Sequence, residues 1–236
     1  ALTLAIQDMR SYAQRDYEKP FRDTRSGMLP PKLAQIMINL SGISDGTLYD
    51  PFCGSGSILM EAVLMNMDVI GSDIDKNAVE GTKKNLAWMG LENPEIFLQD
   101  IKKIDTEKLP KKPDVIVSDT YIGPYFGGKP DIEQIKIVQE QLEILYKEVV
   151  AKLRTFNVPV VLALPCHKLE GQYKFLPHMP EYIKEAGFKI RKILPSETVE
   201  KFKDPTLFGF AKNRKTFLYD RPEQKVAREI FVLEPG

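Results

Sequence analysis

The segment Asp50-Pro51-Phe52-Cys53-Gly54-Ser55-Gly56-Ser57 leaves an apolar run and enters a helix-period stretch. Glycines at Gly54 and Gly56 permit a tight turn and close approach of backbone N–H groups to a ligand. A dinucleotide fingerprint needs Gly or Ala at the sixth position of G-x-G-x-x-G, and counting from Gly54 that position is Leu59, so NAD is disfavoured. A phosphate-cradling loop needs a Lys-Ser or Lys-Thr pair, and none is present here. A second apolar run ends in Gly71-Ser72-Asp73-Ile74-Asp75, and a third in Gln99-Asp100-Ile101. An acid ending the second strand can accept from both hydroxyls of a ribose, and Asp73 is better placed for this than Asp75. Asp100 can accept from an adenine amino group. A plainer alternative makes Asp75 a helix N-cap and Asp100 a loop acid.

These residues need elements that bring them to one edge. Apolar β-rich runs alternate with helix-period stretches, the βαβ signature of a parallel sheet. Strands are predicted at 47–52, 68–73, 95–99, 114–118 and 158–164. Helices are predicted at 57–65, 76–89 and 132–153, with Gly90 as a C-terminal stop. A short helix is expected at 31–39, opened by Pro30-Pro31. Further on, 181–186 reads as helix and 189–194 as extended. The runs 216–219 and 229–233 read as strands joined through Asp220-Arg221-Pro222-Glu223-Gln224. In this arrangement the candidate acids fall at the C-terminal ends of parallel strands, where such sheets bind ligands.

Asp50–Ile58, Gly71–Asp75 and Asn85-Leu86 resemble the RNA methylase domain of the THUMP-associated tRNA guanine-N2 methyltransferases. So do Arg25-Ser26-Gly27-Met28-Leu29-Pro30-Pro31-Lys32-Leu33-Ala34, Leu218–Pro222 and Arg228-Glu229-Ile230. The resemblance runs from Asp16 onward. It implies a Rossmann-like class I methyltransferase of the α/β class, a seven-stranded, mostly parallel sheet with helices on both faces. Residues 1–45 then form an N-terminal extension with a pre-motif helix, and 46–236 the catalytic domain. The implied cofactor is S-adenosylmethionine, held by Asp50, Pro51, Phe52, Cys53, Gly54, Ser55, Gly56, Asp73, Ile74, Asp100 and Ile101. The implied reaction is methylation of a tRNA guanine N2 of the position-10 type. DNA adenine-N6 or cytosine-N4 methylation, or a silent module binding the methyl donor, are the alternatives.

Amino-directed methyltransferases carry an Asp-Pro-Pro-Tyr type motif at the fourth strand end. The exocyclic amine has its lone pair delocalised into the base, so acceptors must hold its N–H groups while an aromatic ring stacks on the base. Here the segment reads Ser118-Asp119-Thr120-Tyr121-Ile122-Gly123-Pro124. Asp119 is the expected acceptor and Tyr121 the stacking ring. Thr120 replaces proline, and its carbonyl is a second candidate acceptor. Phe126–Pro130 reads equally as a lid or as a plain surface loop, and His167 after the fifth strand reads as a structural or solvated residue more readily than as a cleft residue. Cys53 is better read as a small buried hydrophobe than as a nucleophile. Lys212–Lys215 is a solvated loop more readily than a phosphate contact, and Arg22, Arg25 and Lys32 are candidate contacts to the cofactor or an RNA backbone.

The balance of 33 Lys plus Arg against 33 Asp plus Glu argues against strong non-specific nucleic-acid binding by this chain alone. An RNA substrate would then be bound weakly, with help from an N-terminal RNA-binding domain or a partner subunit. No apolar run is long enough to span a bilayer. No metal-ligand spacing is present, and two cysteines are too few for a disulfide framework, which fits a cytoplasmic, reducing setting. The first residue, Ala1, suggests an excised domain or a processed N-terminus.

Overall fold

The computed structural model describes residues 7–23, 28–128, 130–195, 197–198, 210–211, 214–221 and 224–236. Helix α1 (Met9–Ala13) continues into a π-helical turn (Gln14–Glu18), and α2 (Pro31–Leu40) follows. Next come β1 (Thr47–Asp50), α3 (Ser57–Leu64), β2 (Asp68–Asp73), α4 (Lys76–Trp88), β3 (Glu95–Leu98) and β4 (Val115–Asp119). The chain continues through α5 (Ile132–Arg154), β5 (Val160–Leu169), β6 (Gln172–Lys174), α6 (Met179–Glu185) and β7 (Phe188–Ile190). It ends in β8 (Phe210–Ala211), β9 (Thr216–Tyr219) and β10 (Val226–Pro235).

One sheet holds these strands in the order β3-β2-β1-β4-β5-β10-β9-β8, with β6 beside β5 and β7 beside β10. From β3 to β5 neighbours run parallel, and β10 lies antiparallel to β5. The chain starts in the middle, winds outward to β3, then returns to place β4 against β1. The reversal between β1 and β4 opens a crevice at their C-terminal ends, the usual ligand position in such sheets. The class I methyltransferase architecture is therefore present, with short β6, β8 and β9 added to its antiparallel side.

Both faces of the sheet are covered. Leu48, Val115, Val117, Val161, Ile230 and Val232 join one core with residues of α2, α3 and α4. Tyr49, Ile116, Val160, Leu162 and Phe231 join the opposite core with α5 and α6. The period-2 alternation of strands makes this division, and burial on both faces explains why the strands read as continuous apolar runs.

Several boundaries differ from the sequence expectation. The first strand stops at Asp50, because Phe52 N donates to Asp50 Oδ1 and the chain turns. The fifth strand runs on to Leu169, since β10 and β6 pair with its second half. The turn into β6 places Glu170 (φ 50°) and Gly171 (φ 76°) in the left-handed region, a two-residue hairpin connection. The expected C-terminal hairpin forms, with Tyr219 opposite Arg228; Pro222 and Glu223 lie outside the described residues.

The N-terminal segment is braced on the same body. Leu33, Ala34, Met37 and Ile38 of α2 enter the first core, and Arg15 Nε pairs with buried Glu61 of α3 at 2.5 Å. Phe21 N donates to Asn85 Oδ1 at 2.8 Å, while Asn85 Nδ2 donates to the carbonyls of Phe21 (2.9 Å) and Ser55 (2.8 Å). One buried amide on α4 thus ties the N-terminal segment to the glycine loop. Asn85→Ala leaves these partners unsatisfied and is expected to lower unfolding stability by about 2–4 kcal/mol, read by urea denaturation. A loss below about 1 kcal/mol would contradict the bracing role.

Candidate functional site

The loop from β1 to α3 bends at Gly54 (φ 53°) and Gly56 (φ 79°), conformations that glycine adopts without strain. Gly56 stands behind the loop, where an added Cβ would lie 2.9 Å from Thr82 Cγ2. The loop is held at several points. Gly56 N donates to the Cys53 carbonyl at 2.7 Å and Thr82 Oγ1 to the Gly54 carbonyl at 2.8 Å. Lys19 Nζ donates to Ser55 Oγ (3.0 Å) and Ser57 Oγ (2.8 Å). Lys19 is buried, and that burial drives its pKa down to about 8. Sequence reasoning passed over Lys19, because its role comes from a loop that only folding brings to it.

Asp73, at the end of β2, accepts from Gly54 N at 2.9 Å and Asp75 N at 3.0 Å. Burial pushes its carboxyl up, and these backbone donors pull it part of the way back. Asp75 N-caps α4, and Asp100 caps a short 3₁₀ turn by accepting from Lys102 N at 3.0 Å. The capping alternative for these two acids is therefore realised, and both also line the cleft.

That cleft is a cavity of about 600 Å³, the size of a small-molecule site. One wall is the loop Asp50, Pro51, Phe52, Cys53, Gly54 and Ser55. A second is Asp73, Ile74, Asp100 and Ile101, and a third the segment from Asp119 to Tyr125. Met28 and Leu29 of the pre-motif also border it. Ile74 is 71% exposed, an uncovered apolar surface beside the acids. Asp50 is buried beneath the loop, accepting from Ser118 Oγ at 2.6 Å, and burial raises its pKa to about 8. Burial likewise raises the Cys53 thiol well above its ordinary value, so it stays protonated and matches the buried-hydrophobe reading.

On the third wall Asp119 is ion-paired with Arg228 of β10, Nε to Oδ1 at 2.8 Å. Burial raises the Asp119 carboxyl, and the guanidinium opposes that. The sequence marked Arg228 only within a segment resembling the family, with nothing to pair it with Asp119, because it lies on a strand not adjacent to β4. Tyr121 is 48% exposed, so its ring is at the cavity rather than in the core. Thr120 borders the cavity, with its side chain turned away from it. Its hydroxyl is buried and turned inward, its single proton shared between Tyr146 Oη and the Ala163 carbonyl, each at 2.9 Å. Tyr146 in turn donates to the Tyr121 carbonyl. Thr120 thus anchors the segment that carries Tyr121.

His167 lies within β5, not in a loop after it. It is buried and absent from the cavity wall, and neither ring nitrogen has a partner among the described residues. Arg214 is bound to buried Glu229 at 2.6 Å, a structural pair rather than a solvated phosphate contact. Arg25, Lys129, Lys212 and Asn213 lie outside the described residues. Among the described residues, no cluster of His, Cys, Asp or Glu could hold a metal.

Residues 20–155 match the RMKL-like methyltransferase domain family. The chain belongs to this family. It is 43% identical over 122 residues to the tRNA (guanine(10)-N2)-dimethyltransferase of Methanothermobacter thermautotrophicus, covering 51% of this chain and 35% of that protein. It is 32% identical over 175 residues to the enzyme of the same name from Methanocaldococcus jannaschii, covering 72% of this chain and 48% of that protein. The chain thus spans less than half the length of either relative. Among solved structures, TrmN from Thermus thermophilus matches with TM-score 0.60 and 19% identity, over 95% of this chain and 53% of that one. Magnesium protoporphyrin IX methyltransferase from Synechocystis matches with TM-score 0.57 and 13% identity, over 99% of this chain and 100% of that one. These identities speak for the fold alone.

The raised Asp50 makes a prediction about pH. Its folded pKa of about 8 exceeds the ordinary 3.8, so the folded state holds this proton more tightly. The resulting stability is complete below the ordinary carboxylate range and lost as pH rises through about 8. Asp50→Asn keeps an acceptor for Ser118 and Phe52 but cannot titrate. Thermal melts from pH 5 to pH 9 should show the wild type losing Tm relative to this variant as pH rises. Parallel curves would contradict a neutral Asp50.

Proposed function

We propose that this chain is the catalytic domain of an S-adenosylmethionine-dependent RNA methyltransferase that modifies the N2 amine of a tRNA guanosine. The observation that carries the reading is one cavity with two chemically different walls. Glycine-loop backbone, Asp73, Ile74, Asp100 and Ile101 make one; Asp119 and Tyr121 make the other. The first set suits a nucleoside cofactor, with Asp73 for the ribose hydroxyls, Ile74 against the adenine face and Asp100 for its amino group. When bound, S-adenosylmethionine supplies a methyl group on a sulfonium. Asp50 and Lys19 brace the loop that lies against it.

Asp119 accepts an N–H of the target amine, orients the nitrogen lone pair, stabilises the positive charge that develops on that nitrogen, and is the base for the proton that the methylated amine sheds. Tyr121 stacks on the base, and Thr120 fixes the wall segment from behind through Tyr146 and Ala163. The names of the relatives favour RNA over DNA as the polymer. The net charge of zero supports weak RNA binding by this chain, with an N-terminal RNA-binding module or partner supplying affinity through effective concentration. In that scheme residues 1–45 form the extension leading into a catalytic domain at 46–236. No helix among the described residues is long and apolar enough to cross a membrane, and a cytoplasmic location fits a tRNA substrate.

Two outcomes test this reading. Asp73→Ala should weaken S-adenosylhomocysteine binding by roughly 1.5–3 kcal/mol in calorimetry. Full-strength binding by the variant would remove Asp73 from the cofactor wall. Asp119→Asn should slow transfer of labelled methyl to tRNA by about 10²–10³-fold while leaving S-adenosylhomocysteine affinity unchanged. Tyr121→Ala should weaken substrate use by about 1–3 kcal/mol. Near-normal turnover by Asp119→Asn places the acceptor elsewhere, and no turnover on any nucleic acid favours a silent module.

A further inference from the structure

Asp119 and Arg228 sit two strands apart in the sheet, with β5 between them. In register, Asp119 of β4 stands opposite Ala163 of β5, and Arg228 of β10 stands opposite Pro165. Val115 and Val117 on β4 belong to the same core as Ile230 and Val232 on β10. By the period of two, Asp119 and Arg228 project from that same face. The arginine stem therefore crosses β5 to reach the carboxylate, and its side chain is only 1% exposed against 14% for Asp119.

A buried ion pair seldom adds net stability over apolar residues of similar volume, whereas removing one partner is strongly destabilising. Its carboxylate member, Asp119, lines the cavity while Arg228 lies buried behind it, so the placement calls for a role beyond packing. Arg228 contacts Oδ1, and Oδ2 of Asp119 accepts no hydrogen bond among the described residues. The guanidinium is always charged and gives a fixed direction to the bond it makes.

We propose that Arg228 is a positioning residue of the methyl-transfer site, holding Asp119 as a charged carboxylate with Oδ2 left to accept the target amine. This rests on the amino-methyltransferase reading above for its purpose, but not for its electrostatics. Asp119 meets Arg228 from β10, Asp50 from β1, Tyr146 from α5 and Tyr121 on its own segment; Tyr219 of β9 faces Arg228. Asp50 is neutral below about pH 8, and burial raises the Tyr121 and Tyr146 phenols, so Arg228 is the charge that opposes protonation of Asp119 at neutral pH. An adjacent cation typically lowers a carboxyl by about 1–3 pH units, and its removal should restore that amount.

The test follows the ¹³C carboxyl resonance of Asp119, assigned by its loss in Asp119→Asn, through a pH titration of the whole chain. The wild type should read as carboxylate at neutral pH. Arg228→Gln should titrate about 1–3 pH units higher, and Arg228→Lys close to the wild type. In parallel, the acid limb of methyl transfer to tRNA should move up with the carboxyl in Arg228→Gln, with S-adenosylhomocysteine affinity unchanged. A protonated Asp119 in the neutral wild type overturns the proposal without any variant. So does an unmoved titration in folded Arg228→Gln. If the titration shifts but no form methylates any RNA, the positioning of charge stands and the functional reading falls.

Discussion

Three carboxylates end three neighbouring parallel strands, Asp50 on β1, Asp73 on β2 and Asp119 on β4, and each is largely withdrawn from water. Charges in such a setting must be neutralised, paired or hydrogen-bonded. The chain uses a different solution for each. Asp50 keeps its proton and accepts from Ser118 and Phe52. Asp73 takes backbone N–H groups from the glycine loop and from the start of α4. Asp119 takes the guanidinium of Arg228. These three solutions leave three different surroundings for a carboxyl around one cavity: burial against hydroxyl and backbone donors, backbone N–H groups, and a guanidinium.

The glycine loop depends on this arrangement from above and on the N-terminal segment from below. Asp73 fixes Gly54, while Lys19 holds Ser55 and Ser57 and Asn85 holds the Ser55 carbonyl. A loop with two left-handed glycines has high conformational freedom when unrestrained. Here side chains from three separate parts of the chain remove it. Loop geometry and N-terminal packing are consequently linked, and residues 15–21 form part of the support of the site.

The antiparallel side of the sheet serves the site as well as the core. β10 carries Arg228 to Asp119 and, one residue on, Glu229 to Arg214 and Thr216. Successive residues of a strand point to opposite faces, so one short sequence supplies a cation to one face and an anion to the other. The hairpin from β9 to β10 sets the register that makes both contacts possible.

The parallel half of the fold was legible in the sequence. Apolar runs at 47–52, 68–73, 95–99 and 114–118 have a strand's length and composition, and the intervening stretches carry helical period and stops such as Gly90. The strand-end acids and the glycine loop were legible for the same reason, since their chemistry is encoded within a few consecutive residues. The capping of α4 by Asp75 was equally local. Other features depended on register and distance along the chain. The length of β5 came from pairing with β10, and the inward turn of Thr120 came from Tyr146 on a helix. Lys19 and Arg228 look in sequence like ordinary charged residues beside a proline and an alanine. What the sequence by itself determined was the parallel scaffold and the kinds of group at its edge. Only tertiary structure decided which of those groups carry charge, because burial and a partner from a distant strand set the ionisation of a carboxyl, and neither is written in its neighbours.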